Sequence, residues 1–112
     1  MMTSLIWNVP DVVLGGTMNK EYIWKLEDLK KVRKNDLKVF SCFACGGGST
    51  MGYKLAGFDV IGDNEIDPKI NAVYVKNHHP KYNINLDIRD LINLGLPDEL
   101  YNLDILDGSP PC

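Results

Sequence analysis

Apolar residues recur along this 112-residue chain with two different periods, and the change between them divides it. From Asn19 the spacing is helical. Tyr22, Ile23, Leu26, Leu29 and Val32 return every three or four residues, with Asn19 as the cap. Upstream, Leu5-Ile6-Trp7 and Val12-Val13-Leu14 are broken by Pro10 and Gly15-Gly16, which predicts short extended pieces and a turn. Beyond Asn35-Asp36 short apolar runs alternate with helical stretches. Strands are predicted at 38–43, 58–62, 83–87 and 103–106, and helices at 49–56 and 68–77. Gly57 sits just past the first of these helices, and Pro68 opens the second, where Ile70, Val73 and Tyr74 share one face. A further helix is predicted within 90–101, interrupted by Gly95 and Pro97. Strand–helix alternation with short connections implies α/β architecture: about four parallel strands with helices on the faces.

Composition adds limits rather than a function. A hydrophobic content of 45% over this length suits one compact domain with a core of its own. The net charge of −3 is unevenly spread. Residues 1–38 hold seven Lys/Arg against five Asp/Glu, and residues 39–112 hold five against ten. The run Lys30-Lys31-Val32-Arg33-Lys34 suits a solvated helix C-terminus, and alternatively a phosphate contact. Three cysteines without a signal peptide imply a reducing, cytoplasmic setting, and no apolar run approaches the roughly 20 residues that span a bilayer.

The chemistry gathers at the C-terminal ends of the predicted strands. Gly46-Gly47-Gly48 follows the first strand, where missing side chains let the backbone approach a ligand and the next helix offers free N–H groups. The same turn, with Gly52, also suits a dinucleotide-binding dehydrogenase or a tight turn with no ligand. Glu65 follows the second strand, about 20 residues on, as an acid that accepts both ribose hydroxyls of a nucleoside, or as a surface carboxylate. Asp63 and Asp67 read as surface carboxylates. Asp87, after the third strand, either accepts from an adenine amino group or caps the helix that follows. Pro110-Pro111 makes a stiff arm behind the fourth strand and displays Cys112 as a nucleophile, against the alternative of a packed thiol. Cys42-Phe43-Ala44-Cys45 has the spacing of a redox or zinc half-site, but alternation puts Cys42 inside the strand and no second pair exists, so no metal is expected. His78 and His79, before Pro80, read as exposed loop residues.

Taken in order, the Phe43–Gly48 turn, Gly52, Ala56-Gly57-Phe58, Glu65, Asp87-Ile88 and Pro111-Cys112 resemble the first four motifs of the DNA cytosine carbon-5 methyltransferases, of phage or restriction–modification type. The resemblance covers about residues 37–112. It implies a partial Rossmann-like fold that binds S-adenosylmethionine. Phe43, Ala44, Gly46, Gly47, Gly48, Glu65, Ile66, Asp87, Ile88 and Pro110 would hold the cofactor, and Cys112 would attack carbon 6 of a flipped cytosine in DNA. Cys45 stands where the family usually has the first glycine of the turn, which implies an altered turn conformation. Residues 1–36 would form an N-terminal extension with an amphipathic helix, and residues 37–112 the first half of the catalytic domain, ending at the catalytic cysteine and inactive alone. A nicotinamide-dependent oxidoreductase and a non-catalytic remnant are the competing readings. The fourth strand should be a sheet edge that is covered by the N-terminal segment, self-associates, or pairs with a separate C-terminal half.

Overall fold

A computed structural model describes residues 23–111. Its centre is a four-stranded parallel sheet built from β1 (Lys38–Cys42), β2 (Asp59–Asn64), β3 (Tyr82–Ile84) and β4 (Ile105–Gly108), in the order β3-β2-β1-β4. Helix α1 (Gly48–Leu55) joins β1 to β2, and α2 (Pro68–His78) joins β2 to β3. Right-handed crossovers that step in one direction put both helices on one face. The return from β3 to β4 passes the opposite face as two 3-10 helices, Ile88–Asn93 and Asp98–Tyr101. The partial Rossmann-like architecture is therefore present, with β4 at one edge.

Local chemistry explains where the elements begin and stop. Gly57 takes φ 95 just past α1, and its close approach to the Arg33 carbonyl leaves no room for a Cβ. Asp67 caps α2 by accepting from the amides of Lys69 and Ile70, while Pro68 needs no donor at the first turn. Gly95 and Pro97 confine the segment after β3 to the two short 3-10 helices.

Four sequence expectations need correction. The helix predicted from Asn19 is, within the described residues, a 3-10 helix at Leu26–Lys31 with none of its residues buried; the rest lies outside them, as do both upstream apolar runs. Lys30 and Lys31 do lie in its last turn, and Lys34 Nζ donates to the Leu29 carbonyl at 3.4 Å, as cations at a helix end should. In α2 the inward face is Asn71, Tyr74 and His78, whereas Ile70 and Val73 are exposed. β3 starts a residue earlier than expected and stops at Ile84. β4 lies two residues later than expected, in register with β1 from Val39–Ile105 to Cys42–Gly108. The apolar core on the face of the 3-10 helices consists of Phe40, Cys42, Ile61 and Leu100, with Ile88, Leu96 and Leu103 packed against it.

Candidate functional site

Behind β1 the backbone alternates into left-handed conformations at Phe43 (φ 53), Cys45 (φ 51) and Gly47 (φ 98). Two of these are not glycine, and L-residues there carry local strain. The turn keeps its shape with a cysteine at position 45 because its neighbours hold it. The Cys45 amide donates to Glu65 Oε1 at 2.9 Å, the Ala44 amide to the Asn64 carbonyl at 2.9 Å and the Gly47 amide to the Ala44 carbonyl at 3.0 Å. Gly47 is obligatory: besides its φ, an added Cβ would lie 2.4 Å from the His78 ring. Gly46 and Gly48 differ. A Cβ on either would meet nothing within 4 Å, so packing does not require glycine there. Bare backbone facing open space at a helix N-terminus is what a ligand lying along the turn needs.

Beside the turn lies a cavity of about 370 Å³ at the C-terminal ends of the strands. It is lined by six of the predicted cofactor residues, Phe43, Glu65, Ile66, Asp87, Ile88 and Pro110, together with Asn64, Arg89 and Pro111. Ala44 is buried, and Gly46, Gly47 and Gly48 do not line the cavity. Cys112 lies outside the described residues. Glu65 is 7% exposed, and each carboxylate oxygen accepts one backbone amide: Oε1 from Cys45 and Oε2 from Asp67, at 2.9 and 2.8 Å. Each oxygen keeps acceptor capacity, so this immobilised carboxylate can accept two further donors side by side.

Asp87 is engaged by its own chain. It caps the following 3-10 helix through the Arg89 amide and forms a fork with the Arg89 guanidinium, Nε to Oδ1 at 3.0 Å and Nη2 to Oδ2 at 2.6 Å. Those Arg89 hydrogen bonds hold the carboxyl down at about 2. Capping is thus realised, while the carboxylate still borders the cavity. Sequence reasoning missed Arg89 here, although its i+2 spacing from Asp87 could have suggested the fork. It also missed two asparagines that fix the floor. Asn64 Nδ2 donates to the carbonyls of Ile84 and Leu86, and Asn85 Nδ2 to those of Glu65 and Ile66. Asparagine at strand ends, with both donor and acceptor to spend on loop backbone, was the available signal.

Other residues depart from expectation. Asp63 is fully buried rather than at the surface; Asn83 Nδ2 donates to both its oxygens at 2.8 and 3.0 Å, and burial pushes its carboxyl up to about 6. Asp67 is the half-buried cap of α2. His78 is buried at the end of α2, whereas His79 is exposed. Cys42 is buried inside β1 and Cys45 is exposed, both as free thiols. Among the described residues no group of three or more His, Cys, Asp or Glu converges as a metal site, and no helix is long and apolar enough to cross a membrane.

The sequence of the chain has counterparts among known proteins. The C-5 cytosine-specific DNA methylase family matches residues 37–112. This chain belongs to that family. Among its relatives are the type II methyltransferases M.FnuDI of Fusobacterium nucleatum, 40% identical over 76 residues, and M.NgoPII of Neisseria gonorrhoeae, 36% identical over 78 residues. These alignments cover 68% and 70% of this chain but 21% and 22% of the relatives. M.Sau96I of Staphylococcus aureus is 37% identical over 97 residues, covering 81% of the chain and 22% of its own length. The chain therefore spans about a fifth of the length of the curated relatives it matches. No solved structure matches it.

Proposed function

We propose that the cavity beside the glycine turn binds S-adenosylmethionine, and that the protein methylates carbon 5 of cytosine in DNA. The observation that carries this reading is the fixed Glu65 carboxylate, held by two backbone amides and bordering a cavity that six expected cofactor residues share. Glu65 would accept the two ribose hydroxyls, with Phe43 and Ile88 against the base and Ile66 and Pro110 closing the sides. Asp87 would receive the adenine amino group on the acceptor capacity that Arg89 leaves free. The bare backbone of Gly46 and Gly48 would lie along the cofactor, in the same turn as the buried Ala44. When bound, the cofactor supplies an electrophilic methyl group. Cys112 would add as thiolate to carbon 6 of a cytosine flipped out of DNA, making carbon 5 nucleophilic. The family match weighs against the nicotinamide reading.

Calorimetric titration with S-adenosylhomocysteine tests the site. The wild type binds, and Glu65→Ala loses about 1–3 kcal/mol of affinity, as expected when charge-assisted hydrogen bonds are removed. Equal affinity in the variant rejects the ribose role. Asp87→Ala should lose less, and an inosine analogue that binds the wild type as well as the adenosine compound removes Asp87 from base recognition.

A further inference from the structure

His78 has no part in the site as described, yet it occupies the space directly beneath the glycine turn. It is the last residue of α2 and is buried. Its Cδ2 and Nε2 are the atoms nearest a Cβ placed on Gly47, each 2.4 Å from it, so this edge of the ring packs against the Gly47 backbone. On the other side of the ring, Nδ1 lies 3.3 Å from Lys54 Nζ, and the same ammonium donates to the His78 carbonyl at 3.1 Å. Tyr74, one turn back on α2, stacks at a tilt on the ring with centroids 4.9 Å apart and bonds Thr50 Oγ1 through its hydroxyl at 2.8 Å. Helix α2 thus holds the start of α1 at two points: Thr50 through Tyr74, and Gly47 through His78.

The chemistry of the partners decides where the ring proton sits. A lysine ammonium can only donate, so Nδ1 faces it as an acceptor. Burial and the Lys54 charge push the ring's titration down to about 4, so it is neutral near pH 7. A neutral imidazole that accepts at Nδ1 carries its proton on Nε2, the nitrogen beside Gly47, whose backbone carbonyl can accept it. That carbonyl also accepts the Met51 amide at 2.9 Å, the first bond of α1.

We propose that His78, held by Lys54 as the Nε2–H tautomer, is a positioning residue for cofactor binding that fixes the left-handed Gly47 and with it the bare backbone of Gly46 and Gly48. This inference rests on the cofactor reading above. The role acts through the backbone of the turn, since His78 does not line the cavity.

Two isosteric replacements separate positioning from mere filling of space. The amide nitrogen of glutamine reaches as far along the side chain as Nε2, whereas that of asparagine reaches only as far as Nδ1. His78→Gln should therefore bind S-adenosylhomocysteine within about threefold of wild type, and His78→Asn should bind at least about tenfold more weakly, the equivalent of one lost hydrogen bond. Both affinities are measured well below each variant's melting temperature. Nitrogen-detected imidazole spectra of the wild type should place the proton on Nε2, and Lys54→Met should shift protons toward Nδ1 while weakening binding. A wild type that binds no S-adenosylhomocysteine rejects the cofactor reading and this inference with it. A wild type that binds, with both His78 variants equal to it or a proton found on Nδ1, rejects the positioning role alone.

Discussion

The two faces of the sheet are held by different physics. On the face of α1 and α2, buried Val39 and Met51 are joined by contacts that are polar and directional. Thr50 meets Tyr74, Asp63 and Asn71 share Asn83, and Lys54 meets His78; Thr50, Tyr74, Asp63, Asn71 and His78 are buried, while Asn83 is exposed and Lys54 half-buried. On the other face Phe40, Cys42 and Ile61 of the sheet meet Leu100 of the second 3-10 helix, and a groove of about 370 Å³ remains. There Ile92 is 87% and Leu106 69% exposed. Hydrogen-bond networks specify one geometry and tolerate no missing member; apolar contact is forgiving and leaves surface available. The glycine turn, which must hold strained backbone, is built on the first kind of face.

The largest effect that can break this contrast lies at Tyr74. Tyr74→Ala should cost about 3–5 kcal/mol in denaturant unfolding, through a cavity and an orphaned Thr50 hydroxyl. A loss below about 1 kcal/mol would mean that the polar face is no more tightly specified than the apolar one.

Next come two buried titrating groups of opposite sign. Asp63 ionises near 6 when folded and near 3.8 when unfolded, so the folded chain keeps a proton that the unfolded chain releases, and stability falls as pH rises between them. His78 titrates near 4 when folded and near 6.5 when unfolded, so stability rises with pH across almost the same window. Each contributes on the order of 3 kcal/mol, and in the wild type they largely cancel. Asp63→Asn should therefore make stability climb more steeply from pH 4 to 6.5, and His78→Gln should make it fall. Melting curves at several pH values check this; parallel profiles for the three proteins would remove both groups from the balance.

Smaller still is the effect of the exposed apolar face. Leu106→Lys should change stability by no more than about 0.5 kcal/mol. It should, however, reduce light scattering at micromolar concentration, because Leu106 stands exposed on β4, whose far side has no neighbour among the described strands. Unchanged scattering would show that this edge does not mediate association. The smallest effect belongs to Cys45→Gly. Relief of a left-handed L-residue is offset by a freer unfolded chain, and unfolding should shift by only a few tenths of a kcal/mol.

The sheet was legible in the sequence because its signals are local. Each strand is a short apolar run, the glycines mark the turns, and Pro68 and Gly57 punctuate the helices. That Glu65 and Asp87 would come together at one end of the sheet was legible for a related reason: where a residue just past a strand end lies follows the rules of the fold, not its details. The polar face was not legible. Asn71, Asp63 and His78 look like surface residues, and only the three-dimensional network that satisfies them explains their burial. Ile70 and Val73 misled in the opposite sense, because they imitate a core stripe that those polar residues occupy instead.

Strand β4 also bears on how this chain folds. The Lys38 amide bonds Asp104, and Asp104 returns the bond to the Lys38 carbonyl, across 66 residues of sequence. Contacts between β2 and β3 span about 20. Closing the longer loop costs about 1 kcal/mol more in chain entropy, so the pairing of β1 with β4 is favoured only after the intervening strands have drawn the ends together. The arm that carries Pro110 and Pro111 would then reach the cavity last, over a glycine turn already formed. Pulse-labelled hydrogen exchange during refolding should record β4 amides as the slowest of the sheet to gain protection.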